Sequence, residues 1–231
     1  MPSALITGGN RGIGLAWVRE LAAEGWRVYA TCRHPAEADA LHELARGHGD
    51  VTVMRLDVTS TDDVYAVRRA LGDAPLDLLI NNAGTYLEKG DVTLGRLRFD
   101  DWLHTFAVNT LGAARITEAL VDNVLRSERR QVVFTTSHMG SIADIGWPGD
   151  YYYRSSKAAL NALARGLAEE LRPRGITLCL LHPGAVATRM GGPESSLTPE
   201  ASVRAMRGLI DRLTLKESGR FFRFSGEVLP W

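Results

Sequence analysis

The feature that most constrains this sequence is a regular alternation of short apolar runs with stretches of helical spacing. Runs of strand type fall at 3–7, 27–32, 51–56, 76–81, 131–136, 176–182 and 220–224, and most are apolar almost throughout. A strand that is apolar on both faces belongs in a sheet covered on both sides, which is the environment of parallel strands. Between the runs, Ile13, Trp17, Val18 and Leu21 recur at helical intervals, as do Val64, Val67 and Leu71, and Leu160, Leu163, Leu167 and Leu171. Strand, helix, strand in succession implies right-handed crossovers, hence an α/β chain with a doubly wound seven-stranded parallel sheet and helices on both faces. Thr198-Pro199-Glu200 reads as a further helix start, threonine capping and proline in the first turn. With 231 residues and no linker, repeat or low-complexity stretch, one domain over 1–231 is expected.

Charge and cysteine content narrow the function. Lys and Arg number 27 and Asp and Glu number 27, so the broad basic footprint of a nucleic-acid binder is missing and no such partner is expected. Cys32 and Cys179 lie far apart in apolar runs, without metal-binding spacing, and read as buried free thiols. No metal site is expected. The opening residues turn glycine-rich too early for the apolar core of a signal peptide, and no run approaches the roughly 18 apolar residues of a membrane span. A soluble, cytoplasmic protein is the expectation.

Chemistry first shows at the junction of the first strand and first helix, Thr7-Gly8-Gly9-Asn10-Arg11-Gly12-Ile13-Gly14. Glycines there let the backbone turn tightly against a pyrophosphate, and the helix N-terminus that follows offers free N–H groups and the positive end of its dipole. In an NAD-binding chain an acidic side chain is expected at the end of the second strand, on the ribose hydroxyl. Here Cys32-Arg33-His34 has no acid, and Arg33 lies 21 residues beyond Gly12. A guanidinium at that place suits a 2′-phosphate, with Arg11 as a second anion ligand, so NADP(H) is favoured over NAD(H).

Tyr153-Arg154-Ser155-Ser156-Lys157 opens a helical stretch and sets a phenol and an ammonium one turn apart on one face. A phenol with a pKa near 10 needs a shift of about 3 units, about 4 kcal/mol, to exchange protons near neutrality. One positive charge about 4 Å away at an effective dielectric near 20 is worth about that much.

Taken together these motifs resemble the short-chain dehydrogenase/reductase family over nearly the whole chain. In family order come the glycine turn, Asp57-Val58 after the third strand, Asn81-Asn82-Ala83-Gly84 after the fourth, Asn109 in a long helix, Ser137 ending the fifth strand, Tyr153 with Lys157, and Pro183-Gly184-Ala185-Val186-Ala187-Thr188 after the sixth. The resemblance implies a Rossmann fold and assigns roles. Gly8, Asn10, Arg11, Gly12, Ile13, Gly14 and Arg33 would hold the phosphates, Asp57 and Val58 the adenine, and Asn82, Ala83 and Gly84 would line the cofactor. Tyr153 would protonate a carbonyl oxygen as hydride arrives at its carbon. Lys157 would hold the nicotinamide ribose and lower the tyrosine pKa, Ser137 would bind the substrate oxygen, and Asn109 would hold a water of a proton relay. Pro183, Gly184, Val186 and Thr188 would hold the carboxamide end.

The segments 137–144 and 151–157, with 211–213, 218–222 and Pro230-Trp231, are closer to the C-factor-like subgroup that includes sniffer-type carbonyl reductases. That subgroup implies reduction of ketones, diketones, aldehydes or quinones, and also admits a nucleotide-binding signalling protein with little turnover. The gap from Ser137 to Tyr153 is long for the family, which leaves Ser141 as an alternative; Ser137 is preferred because it ends the strand directly. Of three consecutive tyrosines only Tyr153 stands four before Lys157, so Tyr151 and Tyr152 read as pocket wall or core.

Other chemistries lack their residues. Arg46 takes the place of the second histidine in His42-Glu43-Leu44-Ala45-Arg46, Thr135 and Met139 replace the glycines of a nucleophile elbow around Ser137, and His34, His48, His104 and His182 are scattered. Only 43 residues follow Thr188 in this sequence, too few for the substrate domain of the related sugar epimerases. Ile145, Trp147, Tyr151, Met190 and Leu197 are candidates for an apolar pocket wall. Residues 188–200 read as the substrate loop, with 190–194 as a glycine-hinged lid. Family habit suggests a homo-oligomer, dimer or tetramer, through the helix containing Asn161 and Leu171.

Overall fold

The computed structural model describes residues 1–88 and 92–231. Seven strands, β1 (Ser3–Thr7), β2 (Arg27–Cys32), β3 (Val51–Arg55), β4 (Leu78–Asn81), β5 (Gln131–Thr135), β6 (Thr177–His182) and β7 (Phe221–Arg223), form one sheet in the order β3-β2-β1-β4-β5-β6-β7. All six pairings are parallel. Several strands stop one or two residues short of the apolar runs, because the flanking backbone bonds elsewhere. The Leu76 N–H, for example, donates to the Asn123 carbonyl of a neighbouring helix at 2.9 Å.

Among the described residues seven α-helices surround the sheet: α1 (Gly12–Ala23), α2 (Asp39–Gly47), α3 (Thr61–Leu71), α4 (Phe99–Phe106), α5 (Ala113–Leu125), α6 (Tyr151–Leu171) and α7 (Pro199–Ile210). Thr198 caps α7, its hydroxyl accepting the Ala201 N–H at 3.1 Å with Pro199 in the first turn. Ser60 caps α3 in the same way, with Asp62 and Asp63 at its start and Arg68 and Arg69 at its end, the charge order that a helix dipole favours.

Alternation along each strand sorts the core into two layers. Ala4, Ile6, Leu78, Ile80 and Leu181 pack with Trp17, Val18 and Leu21 of α1, Leu41 of α2 and Val203, Met206 and Ile210 of α7. Leu5, Leu79, Val132, Phe134 and Leu180 point the other way, onto α3, α5 and α6 through Val64, Val67, Leu71, Ile116, Leu120, Leu160, Ala164 and Leu171. Each buried Leu, Ile or Val of this kind contributes roughly 1.5–3 kcal/mol. The α6 helix shows why Lys157 ends up inside: Leu160, Ala164, Ala168 and Leu171 bind its face to the sheet, and Lys157 continues that face by one turn.

From β1 the chain winds outward to β2 and β3, then returns to β4 and runs the other way. The strand order therefore reverses between β1 and β4, and ligands of such sheets bind in the crevice beyond the strand C-termini at that point. Both free cysteines are buried. Among the described residues no helix is long and apolar enough to cross a membrane.

Candidate active site

The glycine turn lies at the β1–β4 reversal and is packed too tightly for side chains. A Cβ on Gly14 would stand 2.1 Å from the Gly8 carbonyl oxygen, and Gly8 and Gly12 hold left-handed φ of 69° and 52°. Thr7 ties the turn to the end of β4: its hydroxyl accepts the N–H groups of Asn82 and Ala83, both at 2.9 Å. Asn82 answers with its amide, donating to the Thr7 carbonyl at 3.0 Å and the Gly8 carbonyl at 3.4 Å. Arg11 is the residue before α1 and uses no side-chain cap, so N–H groups of that terminus stay available to an anion.

Three guanidiniums gather at this end. Partial burial and then the charges of Arg189 and Arg33 lower the pKa of Arg11. Among the described residues no direct ion pair closes on any of the three, and Arg33 acts only through space on Asp57, so the group presents net positive charge to whatever occupies the crevice. Arg189 escaped the sequence reading because it is remote in the chain. Its neighbour Thr188 brings it there, with Cγ2 3.2 Å from the position of a Cβ on Gly12. Asp57 lies nearby. Its burial would raise its pKa, but hydrogen bonds from the Thr59 hydroxyl at 2.7 Å and N–H at 2.9 Å, with the Arg33 charge, hold it below the usual value. Val58 is buried against Gly112, where a Cβ would meet Val58 Cγ2 at 2.6 Å. The residues present thus fit a dinucleotide with an extra phosphate: a glycine cradle, a helix N-terminus and a cluster of cations.

Deeper in the crevice the structure brings Ser137, Tyr153, Lys157, Asn109 and Gly84 together. Ser137 leaves β5 in extended conformation and caps the single 3-10 turn His138–Gly140, its hydroxyl accepting the Met139 N–H at 3.2 Å. Lys157 is 3% exposed and donates from Nζ to the Thr135 carbonyl at 2.9 Å. A Cβ on Gly84 would lie 3.5 Å from Asn109 Oδ1 and 3.8 Å from Lys157 Nζ. Asn109 does not sit in an uninterrupted α-helix as the sequence suggested; it occupies a π-helical stretch, Ala107–Gly112, between α4 and α5. The widened turn carries its side chain to the loop after β4. There Oδ1 accepts the Thr85 N–H at 2.7 Å, and Nδ2 donates to the Thr85 carbonyl and the Ser156 hydroxyl, both at 3.0 Å.

The electrostatics differ from the expected coupling of phenol and ammonium. Burial pushes Tyr153 up to about 12, with the Ser137 hydroxyl working in the opposite direction. Burial also pushes Lys157 down to about 8. The ammonium is 5.7 Å from the centre of the Tyr153 ring, and in the protein alone desolvation outweighs its effect on the phenol. Tyr153 is therefore held as a proton donor, and Lys157 is a cation kept at a cost.

The rim holds groups that periodicity could not reveal. Tyr86 meets the Tyr153 ring edge-on at 5.5 Å and donates its hydroxyl to Asp150 at 2.6 Å, while Trp147 donates to the other Asp150 oxygen at 3.3 Å. Glu88 is buried, and its carboxylate accepts the Tyr153 N–H at 2.8 Å. His138 and His182 face each other at 4.9 Å behind Ser137, and burial drives His182 down to about 3. Ser141 is spent elsewhere, donating to the Trp231 carbonyl at 3.1 Å. Tyr152 is core, fully buried and stacked on Trp102 at 5.1 Å; Tyr151 is half-buried. Ile145, Trp147 and Met190 are about half exposed, and Leu197 is partly buried.

Pro183 accepts the Ser202 hydroxyl at 2.6 Å, Gly184 holds a left-handed φ of 88°, and Val186 bridges to Leu197 at the base of the 188–200 loop. Within that loop Gly191 and Gly192 fold back on Thr188 through hydrogen bonds of 3.1 and 2.9 Å. A cavity of about 470 Å³ is lined by Ala187, Thr188, Arg189 and Pro193.

Known proteins share this fold. An NADPH-bound carbonyl reductase from chicken fatty liver superposes with a TM-score of 0.92 at 32% identity, covering 100% of this chain and 99% of that one. The carbonyl reductase Sniffer of D. melanogaster gives 0.91 at 30% identity, covering 100% of both. The C-signal protein of Myxococcus xanthus is 44% identical over 157 residues, 68% of this chain and 93% of that protein. Residues 2–197 match the short chain dehydrogenase family, and the chain belongs to that family.

Proposed function

We propose that this protein is an NADP(H)-dependent oxidoreductase that reduces a small ketone, diketone, aldehyde or quinone to the alcohol in the cytoplasm. The observation that carries the reading is the convergence of a protonated buried phenol, Tyr153, with Ser137 and Lys157 beside the open face of Gly84. A bound reduced dinucleotide supplies the hydride that the carbonyl carbon accepts.

Every other step belongs to the chain. The glycine turn and the N-terminus of α1 take the pyrophosphate, and Arg33 and Arg11 take the ribose phosphate. Asp57 keeps Oδ2 available beside the adenine pocket, since Thr59 engages only Oδ1. Lys157 Nζ spends one donor on Thr135 and offers two to ribose hydroxyls. Ser137 donates to the substrate oxygen, and Tyr153 delivers a proton to it as the carbon is reduced, which balances the conversion of carbonyl to alcohol. A water held over Gly84 by Asn109 Oδ1 and Lys157 Nζ would pass a proton from bulk solvent inward, so that Tyr153 regains the one it gave up. The 188–200 loop closes the substrate side with its apolar members Met190 and Leu197.

The test is NADPH and NADH oxidation against a panel of aliphatic ketones, diketones, aldehydes and quinones, with Tyr153→Phe run in parallel. Turnover with NADPH that is lost in the variant supports the reading. Similarity to C-signal favours a second reading, a nucleotide-binding signalling protein, and tight NADPH binding without turnover of any substrate in the panel would select it. The proposed homo-oligomer is tested by light scattering.

A further inference from the structure

Glu88 is a buried carboxylate that the proton relay does not use. It is 6% exposed, and it sits in the loop after β4 while its partners lie 65 residues further on. Those partners are the first N–H groups of α6: Oε2 accepts from Tyr153 at 2.8 Å, and the carboxylate as a whole also feels the N–H groups of Tyr152 and Tyr151. The helix has no cap of its own. Asp150, which precedes it, is held at a left-handed φ of 55° and makes no capping bond, because its carboxylate is taken by Tyr86 and Trp147. An uncapped helix start frays from its first turn, and Tyr153 is the third residue of α6. Lys157, one turn later, is anchored to β5 through the Thr135 carbonyl.

We propose that Glu88 is a positioning residue: it caps α6 from across the cleft and thereby fixes the Tyr153 phenol relative to Ser137 and Lys157. The proposal rests on Tyr153 being the proton donor. The cap acts on Tyr153 and not on the dinucleotide site, so its loss separates catalysis from binding.

The experiment compares the full-length parent with Glu88→Ala and Glu88→Gln, because glutamine keeps an acceptor oxygen without the charge. Amide hydrogen exchange over 148–156 is expected to accelerate about fivefold or more in Glu88→Ala and to return toward the parent in Glu88→Gln, with β4, β5 and β6 unchanged. The ligand-free titration of Tyr153, isolated by difference against Tyr153→Phe, is expected to move back toward about 10 in Glu88→Ala only. With NADPH and a carbonyl substrate, kcat should fall on the order of 10- to 100-fold in Glu88→Ala, while the NADPH Kd stays within about twofold. Unchanged exchange in 148–156, acceleration spread over the whole chain, or a Kd that weakens in step with kcat would each overturn the proposal. If the parent reduces nothing, the reductase reading fails by itself, and the exchange and titration arms still decide whether Glu88 positions the phenol.

Discussion

Replacing Lys157 with methionine is expected to stabilise the ligand-free protein while abolishing its turnover. Burial lowers the lysine from 10.5 to about 8. At 1.36 kcal/mol per pKa unit, holding the charged form inside costs about 3 kcal/mol at neutral pH. Methionine fills similar space without a charge, and leaving the Thr135 carbonyl unpaired returns about 1 kcal/mol of that gain. The net expectation is about 2 kcal/mol of added stability near pH 7. Its sign depends on pH. The unfolded lysine keeps its proton to about pH 10.5 and the folded one only to about 8, so between those values the unfolded parent binds more protons and the parent gains stability as pH rises. The variant should thus lead below about pH 8, lose its lead on the way to 10.5, and be the less stable protein beyond it. Urea unfolding followed by circular dichroism at about pH 7, 9 and 10.5, without dinucleotide, measures this. A variant less stable than the parent at neutral pH, or a difference that does not change with pH, would refute the argument that a buried uncompensated ammonium sits in this site.

Tyr153→Phe should lower kcat by at least 10²- to 10⁴-fold, the usual worth of a positioned proton donor, with little change in NADPH affinity; stopped-flow reduction and fluorescence binding check the two halves. Arg33→Ala should weaken NADPH binding roughly 10- to 100-fold and leave NADH nearly untouched, and Arg189→Ala should flatten the salt dependence of NADPH affinity because one cation of the cluster is gone. Calorimetric titrations at two ionic strengths decide both. His182 binds its proton only near pH 3 when folded but near 6.5 when unfolded, so stability falls as pH drops below 6.5. By about pH 5 the loss is about 2 kcal/mol, and His182→Phe should make thermal unfolding less acid-sensitive in that range. Gly14→Ala places a Cβ 2.1 Å from the Gly8 carbonyl and should cost about 3 kcal/mol or more, with dinucleotide binding lost before the fold is.

What the sequence made legible, and what it hid, follow from the range of the interactions concerned. Strands buried on both faces and helices with one apolar stripe are written locally, so seven strands in one parallel sheet could be inferred from runs such as 76–81 and from Leu160, Leu163, Leu167 and Leu171; the structure buries Leu160 and Leu171 of that set together with Ala164 and Ala168, and leaves Leu163 and Leu167 at the margin. The pairing of Tyr153 with Lys157 is local too, one turn of α6. Asn109 was visible as a residue, but the π-helical turn that aims it was not, because that turn depends on the Thr85 and Ser156 bonds it makes possible. Arg189 and Glu88 were invisible for the same reason. Each meets its partners only after the sheet has closed, and neither residue type in its local setting, Thr188-Arg189-Met190 or Leu87-Glu88, signals a role.

The reading of the tyrosine and lysine pair shows how far spacing alone can carry a pKa argument. Four residues on a helix put the ammonium near the phenol, and at an effective dielectric of about 20 that proximity would be sufficient to bring a phenol toward neutrality. The fold adds a second effect of opposite sign, since the burial that brings the groups together also removes the water that would solvate tyrosinate. With the ammonium 5.7 Å from the ring centre and already bonded to Thr135, desolvation wins and the phenol rises to about 12. That outcome suits a reductase better than the reverse reaction. A proton donor must hold its proton until the carbonyl oxygen gains negative charge, and a phenol at about 12 beside Ser137 does so through the whole neutral range. Oxidation of an alcohol needs tyrosinate, which the protein alone does not supply below strongly alkaline pH. Forward reduction should accordingly be nearly independent of pH between about 5 and 7, below the titration of Lys157, while the reverse rate climbs with pH across the same interval. A reductive rate that fell tenfold over that interval with an apparent pKa near 6 would mean that the phenol loses its proton below neutrality, and that Lys157, rather than burial, governs Tyr153.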